Sequence, residues 1–209
     1  MKNITKIHKN TQKTLKKRNF LRKFNDFEVI SPKTTFIERG AKIGKNVTIY
    51  PNCYLDKSCI IGDNTVIWGN CFLQNCICGE ACKIGPFVHT RERTELGDRV
   101  RLGNFSETKN VVIGNGVKIA HLSYIGDAEI GDNCNIGCGV VFANYDGINK
   151  HKTKIGAGCF VGCNVNLVAP LSVGKNCFIG AGSTITENLD DNSFAISRAE
   201  LKIKPNSRG

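Results

Sequence analysis

Nowhere in the 209 residues does an apolar run approach the roughly 20 residues of a membrane-spanning helix, nor is there the shorter apolar core of a secretory signal. A soluble, cytoplasmic chain without a membrane span is expected. No acid precedes Asp26, and in that leader Lys2, Lys6, Lys9, Lys13, Lys16, Lys17, Arg18, Arg22 and Lys23 stand alone. Beyond them, twenty bases face eighteen acids, so the net charge of +11 belongs mainly to this leader. Charge spread over a domain would suggest nucleic acid; charge confined to an arm suggests a solvated or helical extension over residues 1–26. No nucleic-acid partner is expected, and attraction to nucleic acid or an anionic membrane is the lesser alternative. Ile4, Ile7, Thr11 and Leu15 share one helical face, yet the leader lacks the Arg and Ser enrichment of an organelle-targeting peptide.

Metal-ligand and disulfide spacings are missing too. Cys76, Cys78 and Cys82 form the tightest group of the eleven cysteines, but they make no Cys-x-x-Cys pair and no His lies near enough in sequence to suggest a zinc knuckle. Cys53, Cys59, Cys71, Cys134, Cys159 and Cys177 instead each follow a regularly spaced aliphatic by four places, with Thr65 in the same slot after Ile61. A free Cys packs as a small hydrophobe, so these are read as corner-filling thiols in a reducing compartment.

What the chain does contain is a beat of six. Ile37, Ile43, Ile49, Leu55, Ile61, Ile67 and Leu73 keep it without a miss, and Ile155, Val161, Leu167, Val173, Ile179 and Ile185 resume it. A helix needs apolar residues three and four apart and a hairpin sheet alternates every two, so neither produces this pattern. A hexapeptide solenoid does, with three hexads closing one triangular coil of about 18 residues. Ile84, Leu96, Leu102, Ile113, Ile119, Ile125, Ile130 and Ile136 carry the beat across the middle with slips of a residue. One all-β rod over residues 27–190 follows, broken by a polar loop at 144–153 and ending in a tail, 191–209.

Three stretches depart from what packing asks: Arg91 with Arg93, Glu107-Thr-Lys109, and Ala120-His-Leu-Ser-Tyr124. Imidazole, with an unperturbed pKa near 6.5, is suited to take a proton from an amine attacking a thioester, which makes His121 the candidate base. Glu107, close to one coil earlier, is expected to orient its ring. Arg91 and Lys109, one full coil of three hexads apart, are expected to stack one strand spacing from each other as a phosphate-binding pair. In each case the competing reading is a structural histidine or solvated surface bases.

The runs Gly103-Asn-Phe-Ser-Glu-Thr-Lys109, His121-Leu-Ser-Tyr-Ile-Gly-Asp-Ala128, Asn144-Tyr-Asp-Gly147 and Ala195-Ile-Ser-Arg198 together resemble the acetyltransferase half of the bacterial bifunctional enzyme that makes UDP-N-acetylglucosamine. The resemblance covers roughly residues 27–200. It implies a left-handed parallel β-helix, a homotrimer with active sites between neighbours, and acetyl-CoA as co-substrate with no metal for the transfer. It further implies His121 as general base with Glu107 beside it, and Arg91, Lys109, Tyr124, Asn135, Asn144, Tyr145 and Lys150 around glucosamine 1-phosphate. Cys138, Cys163, Ala181 and Arg198 would meet acetyl-CoA, the tail contributing to that site. Cys163 stands where the family has Ser and His89 where it has an Arg. No Gly-rich nucleotide-binding segment precedes the rod, so a separate uridylyltransferase is expected to complete the UDP-sugar.

Two other readings remain: a hexapeptide acyltransferase for another amino sugar or nucleotide-sugar, and a non-catalytic trimeric assembly module. A three-histidine zinc site of the carbonic anhydrase kind is disfavoured, because the spacings between His89, His121 and His151 are not whole numbers of coils.

Overall fold

The computed structural model describes residues 26–203; the basic leader expected from the sequence lies outside them, apart from Asp26. Among the described residues there is no helix, and every pairing between named strands is parallel. One ladder of ten strands climbs from Phe27–Val29 through Val47–Ile49, Val66–Ile67, Lys83–Ile84, Arg101–Asn104, Lys118–His121, Asn135–Ile136, Phe160–Val161 and Phe178–Ile179 to Phe194–Ala195. Strands such as Tyr54–Leu55, Phe72–Leu73 and Val141–Ala143 form a second face, and strands such as Ile60–Ile61, Thr153–Ile155 and Leu171–Val173 a third. The chain is a left-handed parallel β-helix of about nine turns.

The beat of six supplies the interior. Ile49, Ile67, Ile84, Leu102, Ile119, Ile136, Val161 and Ile179 are register partners in succession and are at most 1% exposed. Burying each such side chain contributes roughly 1.5–3 kcal/mol, and each packs on the coil above and the coil below, so stability accumulates along the stack. Corners are turned by asparagines in the left-handed region, among them Asn46, Asn64, Asn70 and Asn176. Their amides bond to the next coil's asparagine, as Asn52 Nδ2 does to Asn70 Oδ1 at 3.1 Å.

The cysteines occupy those corners as read. All eleven are free, and Cys53, Cys59, Cys71, Cys134, Cys159 and Cys177 are buried. Cys134 Sγ donates to Gly156 O at 3.1 Å and Cys159 Sγ to Gly174 O at 3.0 Å, carbonyls of the following coil, while Cys71 Sγ turns back to Trp68 O at 3.0 Å. Burial pushes the Cys59 thiol up to about 12, which keeps it protonated and inert.

The slips in the beat have a geometric origin. The step from Lys83 to its partner Arg101 is one position longer than the next two, from Arg101 to Lys118 and from Lys118 to Asn135. In the same three coils, His89–Leu96, Glu107–Ile113 and Tyr124–Ile130 are long strands that run over a corner, with a register shift between Arg91 and Thr94. The coil from Asn135 to its partner Phe160 is much longer, and the excess is the polar loop between Ala143 and Thr153.

Candidate active site

His121 ends strand Lys118–His121 and faces solvent at a corner of the prism. Its register partner is Asn104, and Nδ1 lies 2.5 Å from Asn104 Oδ1. An amide oxygen only accepts, so Nδ1 carries the hydrogen, and in the neutral form of the ring the lone pair is on Nε2. The residues that follow these two, Phe105 and Leu122, sit at φ 56° and 49°, as does Phe87 one coil earlier at 55°, where the later coils place Gly139, Asn164 and Gly182. A bulky side chain in that region is strained. Phe87, Phe105 and Leu122 are nevertheless 48%, 54% and 57% exposed in one column, and the first two rings stack at 5.0 Å.

The expectation for Glu107 is corrected here. The coil that ends at His121 begins at Asn104, a separation of 17, so Asn104 is the residue beneath the ring. Glu107 falls three positions later and pairs with Tyr124 and His89 on the next face. The Glu107 carboxylate is engaged by Arg91, Nη2 to Oε1 at 2.5 Å. Glu107 thus fixes a cation, and the ring is held by an amide.

Arg91 and Lys109 are register partners where the long strands cross their corner. Arg91 Nε is buried with no hydrogen-bond partner among the described residues, leaving one guanidinium hydrogen uncommitted among them. Lys109 is only 8% exposed and lies 3.2 Å from Glu92. Lys150 reaches the same place from the loop: the closeness of Lys109 pushes Lys150 below the ordinary lysine value, while Lys109 is raised by the same pairing, in which Lys150 is the readier to give up its proton, and by Glu92. Two lysines brought together in this way favour an anion between them.

The loop is built to hold Lys150 there. Tyr145 and Lys150 bridge antiparallel, and Asp146 Oδ1 accepts the backbone N–H of Ile148 and Asn149 at 2.7 Å each. Asp146 Oδ2 meets His151 Nε2 at 2.6 Å. These contacts, the Asn149 N–H first, hold the Asp146 carboxyl well below the usual carboxylate range. Lys152 and Lys154 tie the loop's far end to Glu129.

Tyr124 and Asn144 are packed together by Gly126, where a Cβ would come within 2.5 Å of Tyr124 Oη and 2.6 Å of Asn144 Nδ2. Asn144, 7% exposed, donates to Asp127 Oδ2 at 2.5 Å. Asn135 follows Lys118 in the outward column, one coil beyond His121's strand.

Extending the register past His121 places Cys138, then Cys163, then Ala181 at the same corner of successive coils. Cys163 and Ala181 are exposed and Cys138 is half-buried. Arg198 folds back over this edge, Nε donating to Ala181 O at 2.9 Å. His89 stands edge-on to Phe72 at 5.7 Å. Among the described residues no three His, Cys, Asp or Glu side chains are placed to share a metal ion.

The residues that sequence reasoning passed over are Asn104, Glu92, Asp127 and Gly126. Asn104 lay inside a quoted run; its signal was a separation of 17 from His121, which only the register of the coil makes meaningful.

Residues 27–106 match the family model described as the GMPPB C-terminal domain, and residues 110–144 and 152–187 match the bacterial transferase hexapeptide (six repeats). Bifunctional protein GlmU of Geotalea uraniireducens (strain Rf4) is 43% identical, the alignment covering 82% of this chain and 41% of that protein. GlmU of Geobacillus sp. (strain WCH70) is 41% identical, with 87% and 43% covered. The chain therefore spans less than half the length of these curated relatives. Among solved structures, LpxA, a UDP-N-acetylglucosamine acyltransferase from Bacteroides fragilis 9343, shares the fold with a TM-score of 0.61 at 23% identity, over 77% of this chain and 68% of that one. By repeat and by fold the chain is a hexapeptide-repeat β-helix, and over most of its length it is similar to less than half of bifunctional protein GlmU.

Proposed function

We propose that the chain transfers an acetyl group from acetyl-CoA to the amino group of glucosamine 1-phosphate, yielding N-acetylglucosamine 1-phosphate. The observation that carries this reading is the Asn104–His121 hydrogen bond, which leaves Nε2 as the outward base at the head of the Cys138–Cys163–Ala181 edge. The acceptor's phosphate is assigned to Arg91, Lys109 and Lys150, and its sugar to Tyr124, Asn135, Asn144 and Tyr145. The donor is assigned to the edge, with its thioester near Cys138 and Cys163 and Arg198 beside a CoA phosphate. As the amine nitrogen bonds to the thioester carbon, Nε2 takes a proton from it. The C–S bond then breaks and the departing thiolate takes the proton up, with backbone N–H groups of the edge steadying the oxyanion between the two steps.

We assign the exposed column Phe87–Phe105–Leu122 to contact with a neighbouring protomer, because three strained apolar residues beside the base gain most from being covered. A homotrimer with shared clefts follows. Eleven unpaired thiols support a reducing, cytoplasmic setting, and uridylyl transfer is assigned to an active site outside this rod.

Release of CoA thiol from acetyl-CoA in the presence of glucosamine 1-phosphate tests the assignment. Turnover should require both substrates, and His121→Ala should abolish it while leaving the elution volume on size exclusion unchanged. Undiminished turnover in that variant removes His121 from its role, and a wild-type chain that fails to acetylate the sugar phosphate favours an assembly module or a different acceptor.

A further inference from the structure

The face that carries His121 holds a second cluster of charge that the acetyl-transfer reading does not use. Along its outward column the register runs Val66, Lys83, Arg101, Lys118, Asn135. Three cations thus stand on three successive coils, about 4.8 Å from one strand to the next. Like charges placed opposite one another destabilise a sheet, and the fold does not ask for them, since Val66 and Asn135 fill the same position on either side. Neither these three nor the nearby Arg99 makes an ion pair among the described residues.

Two residues further along each strand the side chains vanish. Trp68 is followed along the rod by Gly85, Gly103 and Ala120, and at Gly103 a Cβ would run into the carbonyl oxygen of Ala120. The result is a trough with a nearly bare backbone floor, the cation column as one wall and Pro86 and Asn104 as the other. Trp68, 40% exposed and backed by Tyr50 at a ring distance of 4.5 Å, stands at the end away from His121. The cavity measures about 780 Å³ and no carboxylate lines it. Its other end is reached at Asn104 and Ala120, the residues bonded to and preceding His121.

A single phosphate would occupy one or two of these cations. Three of them over about 10 Å, with an indole wall at one end, fit a longer anion bearing a flat ring. From the level of Trp68 to that of His121 is three coils, about 14 Å. We infer that the trough is a binding site for a nucleoside diphosphate sugar, with the base against Trp68, the diphosphate along Lys83, Arg101 and Lys118, and the sugar toward Asn104 and His121. This anion site is separate from Arg91, Lys109 and Lys150, which sit at the corner crossed by the long strands. Such a ligand is what nucleotidyl transfer onto an acetylated sugar phosphate generates, so its binding would compete with the acceptor; that consequence, unlike the binding itself, rests on the acetyl-transfer reading.

Trp68 is the only tryptophan of the chain, which makes its fluorescence a direct reporter. Titration of the full chain with UDP-N-acetylglucosamine should give saturable quenching, weakened at least tenfold in the double variant Lys83→Gln, Arg101→Gln. Both positions are exposed, and an unchanged far-ultraviolet β signal identifies a folded variant. Inorganic pyrophosphate should bind at least tenfold more weakly, and coenzyme A should not quench with comparable affinity. Absence of saturable quenching, indifference to the double substitution, equal affinity for pyrophosphate, or equal affinity for coenzyme A each overturns the inference: the first two deny the site, the third leaves a general basic patch, and the fourth makes the trough part of the donor site. None of these readouts depends on turnover, so a chain without acetyltransferase activity leaves them interpretable.

Discussion

Replacing Asn104 probes the candidate base without touching it. In Asn104→Ala the Nδ1 hydrogen loses its acceptor, and the ring is free to rotate and to carry its proton on Nε2, the nitrogen that must receive one. A neutral hydrogen bond at an exposed position contributes about 0.5–1.5 kcal/mol, which corresponds to a fall in kcat of about 2- to 13-fold at about 1.36 kcal/mol per decade. KM for the sugar phosphate should stay within about twofold, since its phosphate is assigned to Arg91, Lys109 and Lys150. Asn104→Asp moves the other way in one respect. A carboxylate against Nδ1–H favours the charged ring, and replacing a neutral by a charge-assisted bond adds about 1 kcal/mol, reduced by solvent at this exposed corner. The acid limb of the kcat profile should therefore rise by about half a pH unit relative to wild type, because one pH unit corresponds to about 1.36 kcal/mol. Initial rates of thiol release across pH 5–9 measure both effects. If Asn104→Ala keeps full kcat, and Asn104→Asp leaves the limb where it was, the 2.5 Å contact has no part in catalysis and the tautomer argument is refuted.

Asp146→Asn should loosen the loop that carries Lys150: amide hydrogen-exchange protection at Ile148 and Asn149, read by mass spectrometry at pH 7, should fall, and KM for the sugar phosphate should rise several-fold with little change in kcat. In the wild type the Asp146 carboxyl is depressed by folding, so its stabilisation is complete above the ordinary value of about 3.9 and fades as pH falls below about 4; the loss of protection should appear there and not between pH 5 and 8. Cys163 is the exposed thiol of the eleven, so iodoacetamide should modify it first, Cys138 more slowly and the buried nine only on unfolding. Saturating acetyl-CoA should protect Cys163, and Cys163→Ser should remain active and resist the reagent; labelling indifferent to acetyl-CoA would take the edge out of the donor site.

The repeat was legible before any coordinate. One aliphatic in six has a single geometric solution, because only a triangular coil brings every sixth residue onto the axis, and the cysteines' place four positions on announced that they fill corners. The grouping of Arg91 with Lys109 was legible for the same reason: three hexads make one coil in the regular part of the rod. Glu107 was misplaced because the local coil length is a property of how the long strands His89–Leu96, Glu107–Ile113 and Tyr124–Ile130 cross their corner, and one residue more or less changes which side chain stands beneath the histidine. Asn104 as its partner, the loop that folds Lys150 onto Lys109, and the trough between Trp68 and Asn104 depend on that register. Periodicity states how a coil closes, since it follows from local spacing alone; which side chains meet across coils depends on where each corner gains or drops a residue, and only the stacked structure decides that.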